Sequence, residues 1–202
     1  PGDLNPLMKA ELAVYLDLEN GGGVYKLKIT ANEKSDRLAA LPRDVLFLLD
    51  ASASITKERL RECAKGLTMA LESLATQDTF NLVIFRDKAD ALFTDFQPAD
   101  ATSVAQARKL LDEVKSSGKT DVYGSLTPFL TVKRADPLRP YLIFLVSDGE
   151  STTGERPESN EFLRRVSKGN EARAAIFTYL AGAKRNRFLL EFLAYRGRGY
   201  TM

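Results

Sequence analysis

From residue 44 onward, short unbroken apolar runs alternate with stretches whose apolar residues recur every three or four positions. Val45–Leu49, Phe80–Phe85, Tyr141–Val146 and Ala174–Leu180 read as strands covered on both faces. Between them, Leu60, Ala64, Leu67, Leu71 and Leu74 mark an amphipathic helix, as do Val104, Ala107, Leu111 and Val114. Tyr123, Leu126, Phe129 and Leu130 predict a third helix, kinked near Pro128. A short helix around Asn160–Lys168 and one over Phe188–Tyr195, stopping at Gly197, complete the set. Ala91–Phe96 reads as a short edge strand. Strands separated by helices pair in parallel, because each crossover returns the chain to the same end of the sheet. The expected fold is therefore α/β: a doubly wound, mostly parallel, Rossmann-like central sheet flanked by helices.

The residues before this pattern behave differently. Leu12, Val14, Leu16 and Leu18 alternate with other residues, as do Tyr25, Leu27 and Ile29, and Asn20-Gly21-Gly22-Gly23 lies between. That predicts a β-hairpin with one buried face. Residues 1–40 are thus expected to be a hairpin extension with its connector, and residues 41–202 the main domain. The first residues are Pro1-Gly2-Asp3, and the pattern reads as a part of a longer protein, with the cell envelope or another extracytoplasmic place as the favoured setting.

Composition narrows the chemistry. There is no histidine, so neither Ser-His-Asp nor Cys-His catalysis is available within the chain. The single cysteine, Cys63, excludes an internal disulfide and a thiolate zinc site, and its helical position suits a core residue. A metal here has to be bound by oxygen. The net charge of +2, without a basic stripe interleaved with aromatics, gives no support for nucleic acid as a partner. No apolar run reaches the ~18 residues of a membrane helix, so no insertion of this segment is expected.

Two of the buried strands run straight into aspartate, at Asp50 and Asp148. Carboxyl ends of parallel strands share one edge of the sheet, where ligands of such folds bind. In Asp50-Ala51-Ser52-Ala53-Ser54 the two-residue spacing aims one carboxylate and two hydroxyls the same way. Thr120 stands in a glycine-containing loop, Ser117-Gly118-Lys119-Thr120-Asp121, able to bring a third hydroxyl. Adjacent carboxylates repel unless a cation or proton lies between them. Hydroxyl and carboxylate oxygens are hard ligands, suited to Mg²⁺, Mn²⁺ or Ca²⁺. The plain alternative is a strand-to-helix turn in which Ser54 or Thr56 caps the next helix. Asp121 is read as the cap of the helix containing Tyr123. Glu150, Ser151 and Thr152 are read as rim or solvated loop, and Arg185, Arg187, Arg196 and Arg198 as a solvated helix face. Phe188 and Phe192 are read as packing residues.

These motifs resemble von Willebrand factor type A domains. Asp50-Ala51-Ser52-Ala53-Ser54 matches the family's Asp-x-Ser-x-Ser motif, Thr120 is similar to its loop threonine, and Asp148-Gly149 to its second aspartate. The resemblance covers about residues 43 to 200, and includes integrin I domains and bacterial members. It implies a metal-ion-dependent adhesion site, with Ser52, Ser54 and Thr120 on the metal and Asp50 and Asp148 often acting through water. It also implies a protein partner whose Asp or Glu carboxylate completes the coordination. Lys119 departs from the pattern, since many relatives carry glycine before the threonine. The expected function is a Mg²⁺-dependent protein–protein interaction domain without catalysis. The competing readings are a metal-dependent hydrolase or phosphatase with Asp50 as nucleophile, and a metal-free structural domain of a larger assembly. Against the first, position 52 is serine where haloacid-dehalogenase-type phosphatases carry a second aspartate.

Overall fold

The computed structural model describes residues 8–17, 21–31, 41–155, 159–171, 173–182 and 186–202. Asn20 of the expected turn, connector residues 32–40 and Arg185 lie outside them. The chain divides into two units, one ending at Leu41 and one starting at Pro42.

In the first unit, β1 (Met8–Asp17) pairs antiparallel with β2 (Gly22–Ala31), Leu12 standing opposite Leu27 and Val14 opposite Tyr25. Residues opposite one another share a face, so Ala10, Leu12, Val14 and Leu16 join Tyr25, Leu27 and Ile29 on one apolar side. The expectation of a buried face is corrected here: Leu12 is 65% and Tyr25 75% exposed. A two-stranded ribbon has no second layer with which to enclose a core.

The second unit is built on β3 (Asp44–Asp50), every residue of which is buried. β3 pairs in parallel with β4 (Thr79–Phe85) on one side and β7 (Tyr141–Ser147) on the other. β8 (Ala174–Leu180) and β9 (Arg198–Thr201) continue in parallel beyond β7. β5 (Ala89–Ala91) and β6 (Gln97–Pro98) pair antiparallel with β4, giving the order β5-β4-β3-β7-β8-β9 with β6 off that path. The edge strand expected at Ala91–Phe96 therefore ends where it was expected to begin. β9 was not anticipated, because Arg198-Gly199-Tyr200-Thr201 carries no apolar run.

Side-chain alternation along β3 splits the core in two. Val45, Phe47 and Leu49 pack under α1 (Lys57–Glu72) and α2 (Ala101–Glu113). Leu46 and Leu48 pack against the opposite cluster, which includes α3 (Val122–Leu130), α4 (Ser159–Asn170) and α5 (Arg187–Arg196). Cys63 belongs to the first cluster, as a core residue. The doubly wound reading holds, with Pro128 inside α3. On the α1 side the sheet is less fully covered toward β8 and β9. There Phe144 stacks on Phe177, which Tyr200 meets edge-on, Tyr179 is 38% exposed, and an apolar cavity of about 290 Å³ opens between α1 and the strands. Phe188 and Phe192 are half exposed on α5, with rings 4.6 Å apart, so they are surface residues and not the packing residues expected. No described helix is long and apolar enough to cross a membrane.

The amino ends of the strands are fixed by charge. Asp44, 3% exposed, accepts from Thr79 Oγ1 at 2.7 Å and Arg134 Nη1 at 2.9 Å, with Arg139 Nε at 3.2 Å. Arg134 in turn lies over the Tyr141 ring. Next to this, Asp78 receives Arg43 N, Nε and Nη2 and Ala75 N. Burial alone raises the Asp78 carboxyl, but these hydrogen bonds outweigh it and hold the group below the ordinary carboxylate range.

Two outcomes follow. Asp44→Ala strands Arg134 in a site where its side chain is only 9% exposed, and urea unfolding should show a loss of about 3–5 kcal/mol. Asp78 binds its proton less tightly folded than unfolded, so its contribution is present above its unfolded pKa and is lost as pH falls through the lower folded value. Acid unfolding should therefore steepen below about pH 4, and Asp78→Asn should lower stability at neutral pH while flattening that slope.

Candidate metal centre

The sheet reverses its winding at β3, which leads out to β4 on one side and receives β7 on the other. Such a switch point opens a crevice at the carboxyl ends of the strands. Asp50 closes β3 there, and Asp148 directly follows β7. Both are buried, at 1% and 0% exposure.

Asp50 Oδ1 accepts the Ser52 amide at 2.9 Å, which turns the chain sharply as it leaves the strand. Its Oδ2 accepts from Ser147 Oγ at 2.7 Å, and Ser147 Oγ accepts in turn from Gly149 N at 3.0 Å. Ser147 thus ties the end of β3 to the loop that carries Asp148. Burial pushes the Asp50 carboxyl up from its ordinary value; the hydrogen bonds from Ser52 and Ser147 oppose this, and the charge of Asp148 adds to it.

Ser52 Oγ and Ser54 Oγ stand 3.0 Å apart, Ser52 fully buried and Ser54 exposed. The two hydroxyls thus come together, one at the base of the site and one at its mouth, in a turn closed by Ile55 N donating to Ser52 O at 3.1 Å and not in the extended chain expected. Of the two caps that the plain alternative named, Thr56 is the one used: it caps α1, accepting from Arg59 N at 3.3 Å.

Thr120 reaches the same region on a neighbouring loop. Ser117 N donates to Ala51 O at 2.9 Å, and Ala53 N donates to Gly118 O at 3.1 Å. Gly118, with φ +76°, makes the bend between them. The Thr120 main chain is clamped by Thr152, whose Oγ1 accepts the Thr120 amide and whose own amide donates to Thr120 O. Ser151 Oγ accepts from Val122 N at 3.0 Å. Ser151 and Thr152 are thus tethers, a role that the reading of this loop as rim or solvent did not assign. Asp121 is the α3 cap, accepting from Gly124 N. Lys119 is exposed beside Thr120.

Asp148 Oδ1 accepts from Glu150 N at 3.0 Å, while its Oδ2 is buried without a hydrogen-bond partner among the described residues. An unpartnered buried carboxylate oxygen is costly. A cation there would relieve that cost, and its remaining ligands would have to be hydroxyls, because no group of three or more His, Cys, Asp or Glu among the described residues could hold an ion. The donor set therefore fits a hard divalent ion held largely by neutral oxygens.

Two positions escaped the sequence reading. Ser147 is the direct link between the acidic loops, and its place at the last position of β7 was a usable signal. Gly182 follows β8 at the same edge, where Ala181 N donates to Ser147 O. It has φ +88°, and a Cβ there would stand 2.8 Å from Asp148 Cβ. Gly182→Ala should cost about 1–3 kcal/mol from backbone strain alone, with Asp148 displaced as well. A thermal midpoint unchanged in chelator would contradict this account.

The match to known proteins agrees with this architecture. Residues 43–202 match the family model described as von Willebrand factor type A domain. The chain is 26% identical over 191 residues to inter-alpha-trypsin inhibitor heavy chain H2 of Sus scrofa, covering 91% of this chain and 20% of that one. It therefore spans about a fifth of the length of that curated relative. Among solved structures, a von Willebrand factor type A protein from Catenulispora acidiphila superposes with TM-score 0.73 at 18% identity, over 97% of this chain and 45% of that one. Proximal thread matrix protein 1 from the mussel byssus, with a zinc-occupied MIDAS motif, gives TM-score 0.62 at 17% identity, over 81% and 44%. At these identities the structural likeness speaks for the fold. The family match covers most of the chain and coincides with the β3–β9 unit: the protein belongs to the von Willebrand factor type A family.

Proposed function

We propose that residues 41–202 form a divalent-cation-dependent protein–protein interaction module, with residues 1–40 as an extension. Ser52, Ser54 and Thr120 hold the ion, with Asp50 and Asp148 offsetting its charge from behind. Mg²⁺ is the favoured ion, and Mn²⁺ and Ca²⁺ share its preference for oxygen. The observation that carries this reading is Asp148 Oδ2, buried and without a hydrogen-bond partner among the described residues, beside a second buried carboxylate. A bound cation supplies the missing partner and, with neutral hydroxyls as its direct ligands, keeps enough positive charge to attract an Asp or Glu from a partner protein. The zinc-occupied motif of the mussel byssus protein supports placing an ion in this fold, without fixing which metal this chain takes. Family membership supports the interaction role in the same way. Both oxygens of Asp50 are engaged by Ser52 and Ser147, which suits a supporting carboxylate better than an attacking nucleophile.

Isothermal titration with Mg²⁺, and then Mn²⁺, tests the reading. Wild type should bind one ion, and Thr120→Ala or Asp148→Ala should weaken it at least tenfold. At a hundredfold excess over Kd the ion should raise unfolding stability by about 2.7 kcal/mol, an increase that a chelator reverses. Absence of binding to wild type, or undiminished binding after Asp50→Ala, would overturn it.

A further inference from the structure

A groove of about 1200 Å³ runs between α1 and α2 along the side of the unit. One end of its lining lies close along the chain to the loops of the candidate metal centre. Lys57 opens α1 three residues after Ser54, and Lys115 and Ser116 precede Ser117, which is bonded to Ala51. The α1 wall carries Lys57, Arg61 and Lys65, spaced so that all three share one helix face. All are exposed.

The charges are arranged unlike those nearby. Like charges four apart on a helix repel and cost stability. On the same two helices Arg59 pairs with Glu62, and Arg108 and Glu72, which also line the groove, pair across it. Among the described residues, Lys57, Arg61, Lys65 and Lys115 take part in none of the ion pairs. Met69, 71% exposed, and half-buried Val114 add apolar surface between the walls. The α2 wall ends in Asp112 and Glu113, which gives the groove a polarity across its width.

We infer that this groove is the docking surface for an acidic amphipathic segment of the partner protein. Its acidic edge lies along Lys57, Arg61 and Lys65, its apolar face covers Met69 and Val114, and its end delivers a carboxylate to the metal. The repulsion of Asp112 and Glu113 keeps the acidic edge on the α1 side. Charge complementarity selects the occupant and steers its approach, while the helix-in-groove mode supplies apolar contact. The inference builds on the metal-dependent reading for where the segment ends.

The test uses a fluorescein-labelled synthetic helical peptide with Leu along one face, Glu along the flank and a terminal Asp, followed by anisotropy. In Mg²⁺ it should bind wild type, with affinity falling as salt rises. The charge reversal Lys57→Glu/Arg61→Glu/Lys65→Glu should weaken it at least tenfold, with circular dichroism and the chelator-treated thermal midpoint as checks that the exposed replacements leave the fold intact. No binding to wild type, or equal binding to the reversal variant, overturns the groove. Heparin binding as tight as the peptide's and independent of Mg²⁺ also overturns it, as simple polyanion attraction. If chelation leaves peptide affinity unchanged while the charge reversal weakens it, the groove stands and the metal reading falls.

Discussion

Two carboxylates held out of water at one edge of a parallel sheet set the terms for everything around them. Asp50 ends β3 and Asp148 directly follows β7, and the parallel pairing of these strands leaves neither free to move away. Ser147 joins them by donating to Asp50 while accepting from Gly149. That bond chain defines the switch-point crevice, and the neighbouring loops conform to it. Gly182 leaves out a side chain because Asp148 occupies the space. Gly149, at φ +78°, lets the loop turn under α5, where Asn186 N reaches Asp148 O.

Such an edge is a destabilised one, and the remainder of the unit offsets it. β3 is buried on both faces by separate apolar clusters, so its position is fixed along its length. At its opposite end Asp44 is fully compensated, by two arginines and a threonine. The two ends of one strand thus carry buried aspartates in contrasting states. The paired one serves stability, as breaking a buried pair is far costlier than its net worth suggests. The unpaired oxygen of Asp148 is the departure expected at a functional site, where local stability is exchanged for a ligand.

Much of this was legible because it rests on short-range rules. Unbroken apolar runs gave β3, β4, β7 and β8, and three- and four-residue spacing gave the helices, to within a few residues. The Ser52 and Ser54 hydroxyls do meet, but in a turn closed by Ile55 N on Ser52 O and not in the extended chain whose two-residue period predicted it. What was not legible depends on partners distant in sequence. β9 has no apolar pattern, since one side of an edge strand is unpaired and Arg198, at φ +62°, starts it from a turn. The hairpin shows the strand period correctly, but the period states only that a face is apolar and not that another layer covers it. The clamp of Thr120 by Thr152 joins residues 32 positions apart. Ser147 acts through Asp50, 97 positions away, and only its place at the end of an apolar run hints at this.

On the proposed reading, the cations around the crevice have a definite thermodynamic sense. Lys57, Lys115 and Lys119 are exposed near the loops that carry the hydroxyls, and each of them opposes a bound divalent ion through the local field. Screening keeps that penalty small at physiological salt, where the field decays over about 8 Å. The same charges favour an incoming carboxylate. Metal and acidic ligand then neutralise one another, so the repulsion that weakens the ion alone is absent from the ternary state. Linkage makes the relation reciprocal: whatever the ligand adds to metal affinity, the metal adds to ligand affinity. A basic rim around a hydroxyl-lined site therefore weakens the metal by itself and strengthens it when a partner is present, which is the behaviour required of an interaction site that should close only on its ligand.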